Sequence, residues 1–341
     1  MSLVGFMQAG NVTVYAGSWR HPATEHGFLD QRYYQKLGRT LEDGCFDLMF
    51  FDDRLAMPGI YGGSVADAVR LGARPVKLDL SIVLGLVAGA TQHIGLGATY
   101  STTYYSPFHV ARTFATLDHL SSGRAAWNVV TSVNDSEAQN YGVELHLGHD
   151  ARYDRADEFL EATTGLWDTW ADDALVLDRV GGTFADPSKV RELNHAGEYF
   201  RVRGPLTVPR SPQGRPVLLQ AGSSGRGRDF AARWAELVFT GDPNIDIARA
   251  HYKDQKDRIA ELAERRAHHR PGEQRRRLDD AQALQGAGRV RHGRRLRDGP
   301  SPDGRATSHR CSARGTLRAA ATPVRRGARC PRTHPAHGSR R

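Results

Sequence analysis

Hydrophobic residues in the first 264 positions fall into short apolar runs, separated by segments whose apolar positions recur at helical spacing. The run 46–51 (FDLMFF) hardly alternates, which is typical of a strand buried on both faces. Segment 30–43 instead places its aromatic and aliphatic side chains on one helical face, with Asp30 as the predicted N-cap. The pattern therefore predicts strands and helices in strict alternation.

Six β/α units are predicted in this way. The predicted strands are 3–7, 46–51, 94–99, 125–130, 217–220 and 237–240. The predicted helices are 30–43, 78–90, 107–120, 153–170, 226–234 and 245–262. A turn-rich segment, 171–215, interrupts the alternation and is interpreted as an insertion.

Such alternation fits either an open doubly wound sheet or a (β/α)8 barrel. Polar groups follow many of the predicted strands: Asp52-Asp53, Thr99–Thr103, Thr131-Ser132, Ser223-Ser224 and Thr240. An open sheet concentrates its site at one switch point, whereas a barrel collects residues from many strand ends. We therefore expect a (β/α)8 TIM barrel that stops after its sixth unit, spanning residues 1–264.

Charge is distributed very unevenly along the chain. The 341 residues carry a formal charge of +9, yet residues 265–341 hold 21 Arg, no Lys and five acidic residues, a net of +16. The first 264 residues thus carry −7. This balance argues against nucleic-acid binding by the predicted barrel and leaves it only to the basic tail.

The tail is also poor in core-forming residues. All 28 aromatic residues precede position 265, and the only large aliphatic residues after it are four Leu and two Val. So few apolar side chains cannot offset the conformational entropy of 77 residues, and we expect disorder. The Arg-, Gly-, Pro- and His-rich composition is what a GC-rich gene gives when it is read out of frame; a genuine basic interaction tail is the alternative.

Three widely spaced cysteines show neither a disulfide framework nor metal-ligand spacing, so we expect a reduced, cytoplasmic protein without a metal site. The N-terminus lacks the basic and long apolar regions of a signal peptide. The longest apolar stretch, 78–98, is interrupted by polar residues and glycines. We interpret it as a buried helix and a strand, and expect no membrane association.

The segment 220–229 (QAGSSGRGRD) joins a strand to a helix. Backbone amides at a helix N-terminus beside Ser223 and Ser224 would suit a phosphate, with positive charge from Arg226 and Arg228. A glycine-rich turn with a serine N-cap is the alternative interpretation. The segment matches neither the GxGxxG nor the Walker pattern.

Further candidates lie at other predicted strand ends. Asp53 either accepts a hydrogen bond from a ligand, caps a turn or pairs with Arg54. Thr99 begins a hydroxyl-rich loop that either lets a flat ligand approach the backbone or is an ordinary solvated loop. Asn128 lies inside an apolar run and needs a partner, either a ligand atom or a main-chain group. His149 and Tyr153, four residues apart, share a helical face that would reach a phosphate or simply pack and cap.

His21, in SWRHP, follows the first predicted strand and is otherwise an ordinary loop residue. The segment that contains His21 forms a pattern together with five other segments. This pattern resembles the nitrilotriacetate monooxygenase group of the bacterial-luciferase-like flavin monooxygenases. The resemblance runs in order from about residue 3 to 264. Its motifs are GSWRHP, FDLMFFDD, IGLGATYSTTYYSPFHVAR, WNVVTSVNDSEAQNYG, HDARYDRADEF and VLLQAGSSGRGRDFAARWAELVFT.

The resemblance implies an FMN site at the carboxyl ends of the barrel strands. By motif, Tyr153, Ser223 and Ser224 would take the phosphate, and His149 would help to hold the flavin. Asp53, Thr99 and Asn128 would lie toward the ribityl chain and ring. His21 would line the reaction pocket as the catalytic candidate.

The resemblance also implies a two-component system in which an NAD(P)H:FMN oxidoreductase supplies FMNH2, and O2 and a small organic substrate react on this chain. It favours a homo-oligomer, and makes the insertion 171–215 a lid candidate. Because an open barrel exposes strand edges and lacks part of the substrate wall, we expect poor folding or little activity. A deazaflavin-dependent oxidoreductase and a non-catalytic flavin-binding remnant are the alternatives.

Overall fold

A computed structural model describes residues 3–12, 15–59 and 61–269. Six parallel strands form one sheet whose neighbours follow chain order, with two short antiparallel hairpins inserted before its fifth strand. The sheet strands are β1 (Val4–Gln8), β2 (Leu48–Asp52), β3 (Gly95–Ser101), β4 (Ala125–Val130), β9 (Val217–Gln220) and β10 (Leu237–Val238). The hairpin strands are β5 (Leu175–Asp178), β6 (Thr183–Ala185), β7 (His195–Ala196) and β8 (Arg201–Val202).

Helices connect successive strands of the sheet, as the alternating pattern predicts. They are α1 (Gln31–Asp43), α2 (Ala66–Leu71), α3 (Leu80–Ala88), α4 (Pro107–Leu120), α5 (Asp135–Asn140), α6 (His149–Trp167), α7 (Gly225–Trp234) and α8 (Ile245–His269). Single 3-10 turns occur at Ser18–Arg20, Tyr61–Gly63 and Pro187–Lys189.

The sheet curls strongly toward one face. Phe6 on the first strand stacks on Phe239, just after the last strand, with ring centroids 5.8 Å apart. In a flat six-stranded sheet the outer strands would be about 24 Å apart, because neighbouring strands are spaced by about 4.8 Å. The two edges therefore approach each other, and the sheet forms part of a barrel wall.

Hydrophobic side chains cover both faces of the curled sheet. A large cluster, including Trp127 and Phe159, packs the helices against the outer face. A smaller inner cluster consists of Leu48, Phe50, Ala126 and Leu219 with Phe6 and Val217 packed against it. Burial on both faces explains why the strands are apolar runs without alternation.

Local signals in the sequence set several helix ends. Asp30 caps α1 by accepting a hydrogen bond from the amide of Arg32, as predicted. Ser106 caps α4, whose first residue is Pro107, a position where the missing amide proton is not needed. These two helices begin and end within one residue of their predicted bounds.

The predicted α/β architecture with a parallel sheet is confirmed, and six sheet strands lie in the described ranges. Two short helices, α2 and α5, were not predicted, because six residues are too few to show a helical period. Helix α8 continues to His269, past the predicted end at residue 262, since Ala, Glu and Arg favour helices. The predictions for residues 270–341 lie outside the described residues.

Candidate functional site

Four polar side chains form one layer at the carboxyl ends of the first four strands. Gln8 is in register with Asp52, and Thr99 is in register with Asn128. Two residues earlier on the same four strands lies an inner layer, whose members are also in register with one another: Phe6, Phe50, Gly97 and Ala126. Because side chains alternate along a strand, all four face the inside of the curl. We call Gln8, Asp52, Thr99 and Asn128 the strand-end layer.

Thr99 and Asn128 are linked by a directed chain of hydrogen bonds. The Thr99 hydroxyl donates to the carbonyl of Phe51 at 2.9 Å, and it accepts from Nδ2 of Asn128 at 2.9 Å. These bonds fix the orientation of the Asn128 amide. Its Oδ1 is buried and has no hydrogen-bond partner. Since an unsatisfied buried acceptor costs about 1–3 kcal/mol, this atom needs a donor.

Asp53 follows the strand-end layer directly and is partly buried. Its Oδ1 accepts a hydrogen bond from the amide of Arg54 at 2.8 Å, so the turn-capping alternative describes its local contact. Burial raises the pKa of Asp53 to about 6, against the lowering effects of the Arg54 amide and Lys77. Near neutral pH this carboxyl therefore exchanges its proton easily.

Tyr153 and a glycine-rich turn build a tight cradle at the start of α7. Tyr153 is buried and lies four residues into α6. A Cβ atom placed on Gly222 would lie 2.6 Å from the Tyr153 hydroxyl, and one on Gly227 would lie 2.7 Å from it. Only glycine at these two positions lets the backbone approach the hydroxyl so closely.

The serines of the same turn have different roles. Ser224 is the N-cap of α7, with its Oγ accepting from the amide of Gly227 at 3.0 Å. Ser223 is exposed, and its carbonyl accepts from Nε of Arg228. The serine N-cap alternative is thus correct for Ser224. The remaining amides of the first turn of α7 are still available to an anion.

His149 opens α6 and stands beside Tyr153. The two rings are 5.2 Å apart at their centroids, which places both side chains on one helical face as predicted. Nδ1 of His149 lies 2.6 Å from Oδ1 of Asp150, and about half of the histidine side chain is exposed. The structure therefore brings His149, at the start of α6, next to the Tyr153 side chain of the cradle.

The prediction that Arg226 and Arg228 add positive charge to the cradle is wrong. Arg226 forms ion pairs with Asp154 at 2.9 Å and Asp157 at 2.5 Å, both on α6. Arg228 pairs with Asp254 at 3.1 Å. Because carboxylates already compensate both guanidinium groups, the anion-binding capacity of this turn comes from its amides and hydroxyls.

His21 is exposed on the loop after β1 and ends a 3-10 turn. Its Nδ1 accepts a hydrogen bond from the amide of Ala23 at 3.2 Å. Trp19, two residues earlier, donates from its indole nitrogen to the carbonyl of Leu71 at 2.7 Å, which anchors this loop to α2. The catalytic role of His21 stays a prediction.

Sequence reasoning missed a polar network at the first two strands. Nε2 of Gln8 donates to Asp52 at 3.1 Å, and Nζ of Lys77 lies 2.5 Å from the other carboxylate oxygen. Gln8 and Lys77 are separated by 44 and 25 residues from Asp52 in the chain. One feature of the sequence indicates this network: Gln8 follows Phe6 by two residues, so both side chains lie on the same face of the first strand.

Among residues 3–12, 15–59 and 61–269, no helix is long and apolar enough to span a membrane. Within the same residues, no group of three or more His, Cys, Asp or Glu side chains is arranged to hold a metal ion.

Comparison with known proteins finds relatives that are named monooxygenases. The sequence is 56% identical to dibenzothiophene-sulfone monooxygenase from Rhodococcus erythropolis over 260 residues, covering 76% of this chain and 57% of the relative. It is 44% identical to nitrilotriacetate monooxygenase component A from Aminobacter aminovorans, covering 72% of this chain and 55% of that protein. The chain thus spans little more than half the length of these relatives.

A solved structure shows the same fold. The crystal structure of a long-chain alkane monooxygenase superposes with a TM-score of 0.74 at 40% sequence identity, covering 76% of this chain and 61% of the other. Residues 7–278 match the family described as luciferase-like monooxygenase. Together with the curled parallel sheet, this match shows that the chain belongs to the luciferase-like monooxygenase family.

Proposed function

We propose that this chain is the oxygenating component of a two-component flavin monooxygenase, which binds reduced FMN and O2 and oxygenates a small organic substrate. The observation that supports it most is the buried, unpartnered Oδ1 of Asn128 at the strand ends. An oriented acceptor of this kind fits an N–H group of a flavin ring. Bound reduced flavin would supply the electrons for oxygen activation.

We assign the flavin contacts to two groups of residues. The ring side consists of Asp53, Thr99 and Asn128, which would face the isoalloxazine ring and ribityl chain. The phosphate side consists of His149, Tyr153, Ser223 and Ser224, which would hold the phosphate at the start of α7. The glycine cradle around the Tyr153 hydroxyl supports this assignment, since close backbone approach suits an anion bound by amides.

The chain's own residues would orient the ring and control water and protons. The hydrogen bond between Thr99 and Asn128 orients the acceptor Oδ1 of Asn128 before the flavin ring binds. The Asp53 carboxyl, with a pKa of about 6, would exchange a proton beside the ribityl chain. The inner cluster beneath the layer would help to keep water away from that side of the ring, which such chemistry requires. His21 would line the substrate side as the catalytic candidate.

The insertion 171–215 is the proposed lid, and the structure indicates which part is anchored. Glu158 on α6 accepts hydrogen bonds from the amides of Tyr199 at 2.9 Å and Phe200 at 2.7 Å, which ties down the β7–β8 hairpin. The β5–β6 hairpin has every residue of its first strand exposed. We therefore propose that β5–β6 is the part of the insertion that moves.

The same hairpin supports a homo-oligomer. Its exposed apolar residues are Leu175, Val176, Leu177, Val180 and Phe184. Several exposed apolar side chains on one short hairpin are typical of an interface. We propose that a second copy covers these side chains when the lid is closed.

The partner that supplies reduced flavin is proposed to be an NAD(P)H:FMN oxidoreductase, working with this chain in the cytoplasm. One relative is named component A of its monooxygenase, which agrees with a divided system. The sulfone, chelate and alkane substrates in the names of relatives span a wide range, so a small organic molecule is the substrate class proposed at this level.

We propose that the curled sheet is a (β/α)8 barrel left open after six units, and that this opening limits turnover. Both groups of flavin contacts come from β2–β4, α6 and the β9–α7 turn. The outer strands β1 and β10 remain exposed, with Val4 and Leu237 each 44% in contact with solvent. We therefore propose that the chain retains FMN while its turnover is low, because one side of the substrate wall is open.

The experiment is to titrate the full chain with FMN and then measure O2 uptake with FMNH2 from a purified reductase, using dibenzothiophene sulfone as the test substrate. Saturable FMN binding and substrate-dependent O2 uptake, even if slow, are expected. A cooperatively folded chain that binds no FMN would overturn the proposal. Reduction of a deazaflavin without O2 uptake would point to the other cofactor class.

A further inference from the structure

Beyond the assigned flavin contacts, the interior of the curl has a second unpartnered acceptor. Gln8 is buried, with 6% of its surface exposed, and its Oε1 has no hydrogen-bond partner. It lies on β1, three strands from Asn128, beside the loop that carries His21. Its side-chain hydrogen bond goes to Asp52, which is not among the residues assigned to FMN.

The orientation of the Gln8 amide is determined by its neighbours. Oδ1 of Asp52 accepts a hydrogen bond from Nζ of Lys77 at 2.5 Å, and Oδ2 accepts one from Nε2 of Gln8 at 3.1 Å. An ionised carboxylate only accepts hydrogen bonds, so Gln8 must present its NH2 group to Asp52. Its Oε1 then has to point elsewhere and needs a donor.

The charge of this network is balanced. The Lys77 side chain is 12% exposed and compensates Asp52, whose side chain is 31% exposed. A compensated pair attracts an anion or a cation less strongly than a single charge does. The atoms that it offers to a ligand are acceptors, Oε1 of Gln8 and the remaining lone pairs of Asp52. They favour a neutral N–H or O–H donor.

An aromatic floor adjoins the network. Phe6 precedes Gln8 by two residues on the same face, and its ring lies 5.4 Å from Phe50 and 5.8 Å from Phe239. Phe239 is 46% exposed, so part of this floor is open to a ligand. Aromatic side chains in such a group favour planar apolar molecules.

We propose that Gln8, Asp52 and the Phe6–Phe50–Phe239 floor form a substrate subsite that selects planar aromatic molecules carrying a neutral hydrogen-bond donor. A small shift of the Gln8 amide would let its Oε1 accept this donor, while the two oxygens of Asp52 stay occupied by Nε2 of Gln8 and Nζ of Lys77. This inference rests on the proposed function, and it names the substrate class for that site.

The test compares two tricyclic probes of nearly the same shape, carbazole with an N–H group and dibenzofuran with a ring oxygen. Their affinities for the full chain are measured without flavin by quenching of protein fluorescence. One net hydrogen bond of about 1 kcal/mol corresponds to about five-fold, so carbazole is expected to bind about five-fold more tightly. In Gln8→Met, which keeps the side-chain length, the ratio should fall to about one while dibenzofuran affinity stays unchanged.

Two controls make the outcome specific. Gln31→Leu changes an exposed glutamine on α1 and should preserve the ratio. Phe6→Leu should weaken both probes equally and leave their ratio unchanged, and it keeps the test decisive if Gln8→Met fails to fold. Equal affinities in the parent chain, a ratio that survives Gln8→Met, or no binding of either probe would overturn the subsite. FMN titration of the same proteins is separate, and its failure would count against the proposed function alone.

Discussion

The ring side and the phosphate side of the proposed flavin site are built by different means. The ring side is part of the sheet: Thr99 and Asn128 are buried, in register and linked by a hydrogen bond. The phosphate side is a helix start and a turn, where Ser223 is exposed and His149 half exposed. The sheet gives the ring side an oriented acceptor, whereas the phosphate side depends on how closely two glycines let the backbone approach Tyr153.

This difference predicts that added volume damages the phosphate side most. In Gly227→Ala the new Cβ would lie 2.7 Å from the Tyr153 hydroxyl and 3.1 Å from the Gly222 Cα. We expect FMN affinity to fall about 100-fold, equivalent to about 2.7 kcal/mol, because the cradle must open. Calorimetric titration of the folded variant measures the loss.

A neighbouring glycine provides the matched control. A Cβ on Gly225, in the same turn, would meet nothing within 4 Å, so Gly225→Ala should keep FMN affinity within about three-fold. Adding Tyr153→Phe to Gly227→Ala should restore part of the thermal stability by removing the hydroxyl from the contact. Equal losses at both glycines would show that crowding at Tyr153 is not the cause.

On the ring side, loss of an acceptor should have a smaller effect than crowding. Asn128→Leu removes the unpartnered Oδ1, and we expect about ten-fold weaker FMN binding, consistent with one buried hydrogen bond. Thermal stability should change little, because an unsatisfied buried group disappears together with the bond to Thr99. Unchanged FMN affinity in this variant would separate Asn128 from the flavin.

Most of the fold, but only part of the site, follows from local sequence. Strand Ala125–Val130 matches its prediction because an apolar run and a Ser-Gly turn define it locally. Asn128 stands out in the sequence as a polar residue inside that run. The contacts of the Lys77–Asp52–Gln8 network give no local signal, since its members are distant in the chain. The ion pairs of Arg226 give none either, because its partners lie on α6.

The two sides should differ in how variants at them change stability with pH, because Asp53 on the ring side has a raised pKa. Its pKa is raised by burial from 3.8 to about 6, so the fold disfavours its charged form. This cost is absent below about pH 4 and develops as pH rises through 6, lowering stability at neutral pH. Asp53→Asn should therefore gain stability over the parent chain between pH 4 and 7, by about 2 kcal/mol after allowing for partial exposure.

Denaturant unfolding at several pH values measures this difference. The phosphate-side variant Tyr153→Phe is the control, and its difference from the parent should not vary across the same window. A constant difference for Asp53→Asn from pH 4 to 7 would contradict a raised pKa.

The smallest effect is expected for the charge beside the phosphate side. Because Asp154 and Asp157 already compensate Arg226, Arg226→Gln should change FMN affinity by less than about three-fold and leave its salt dependence unaltered. Its main effect should be a modest loss of stability, since Asp157 is only 16% exposed and loses one partner. A large, salt-dependent loss of FMN affinity would restore this arginine as a phosphate ligand.

A crystal structure of the full chain grown with FMN would test the whole arrangement at once. We predict a flavin inside the curl, with its ring against Asn128 and its phosphate at the start of α7 beside Tyr153. Strand ends without flavin in a folded chain, or a flavin bound elsewhere, would contradict the assignment.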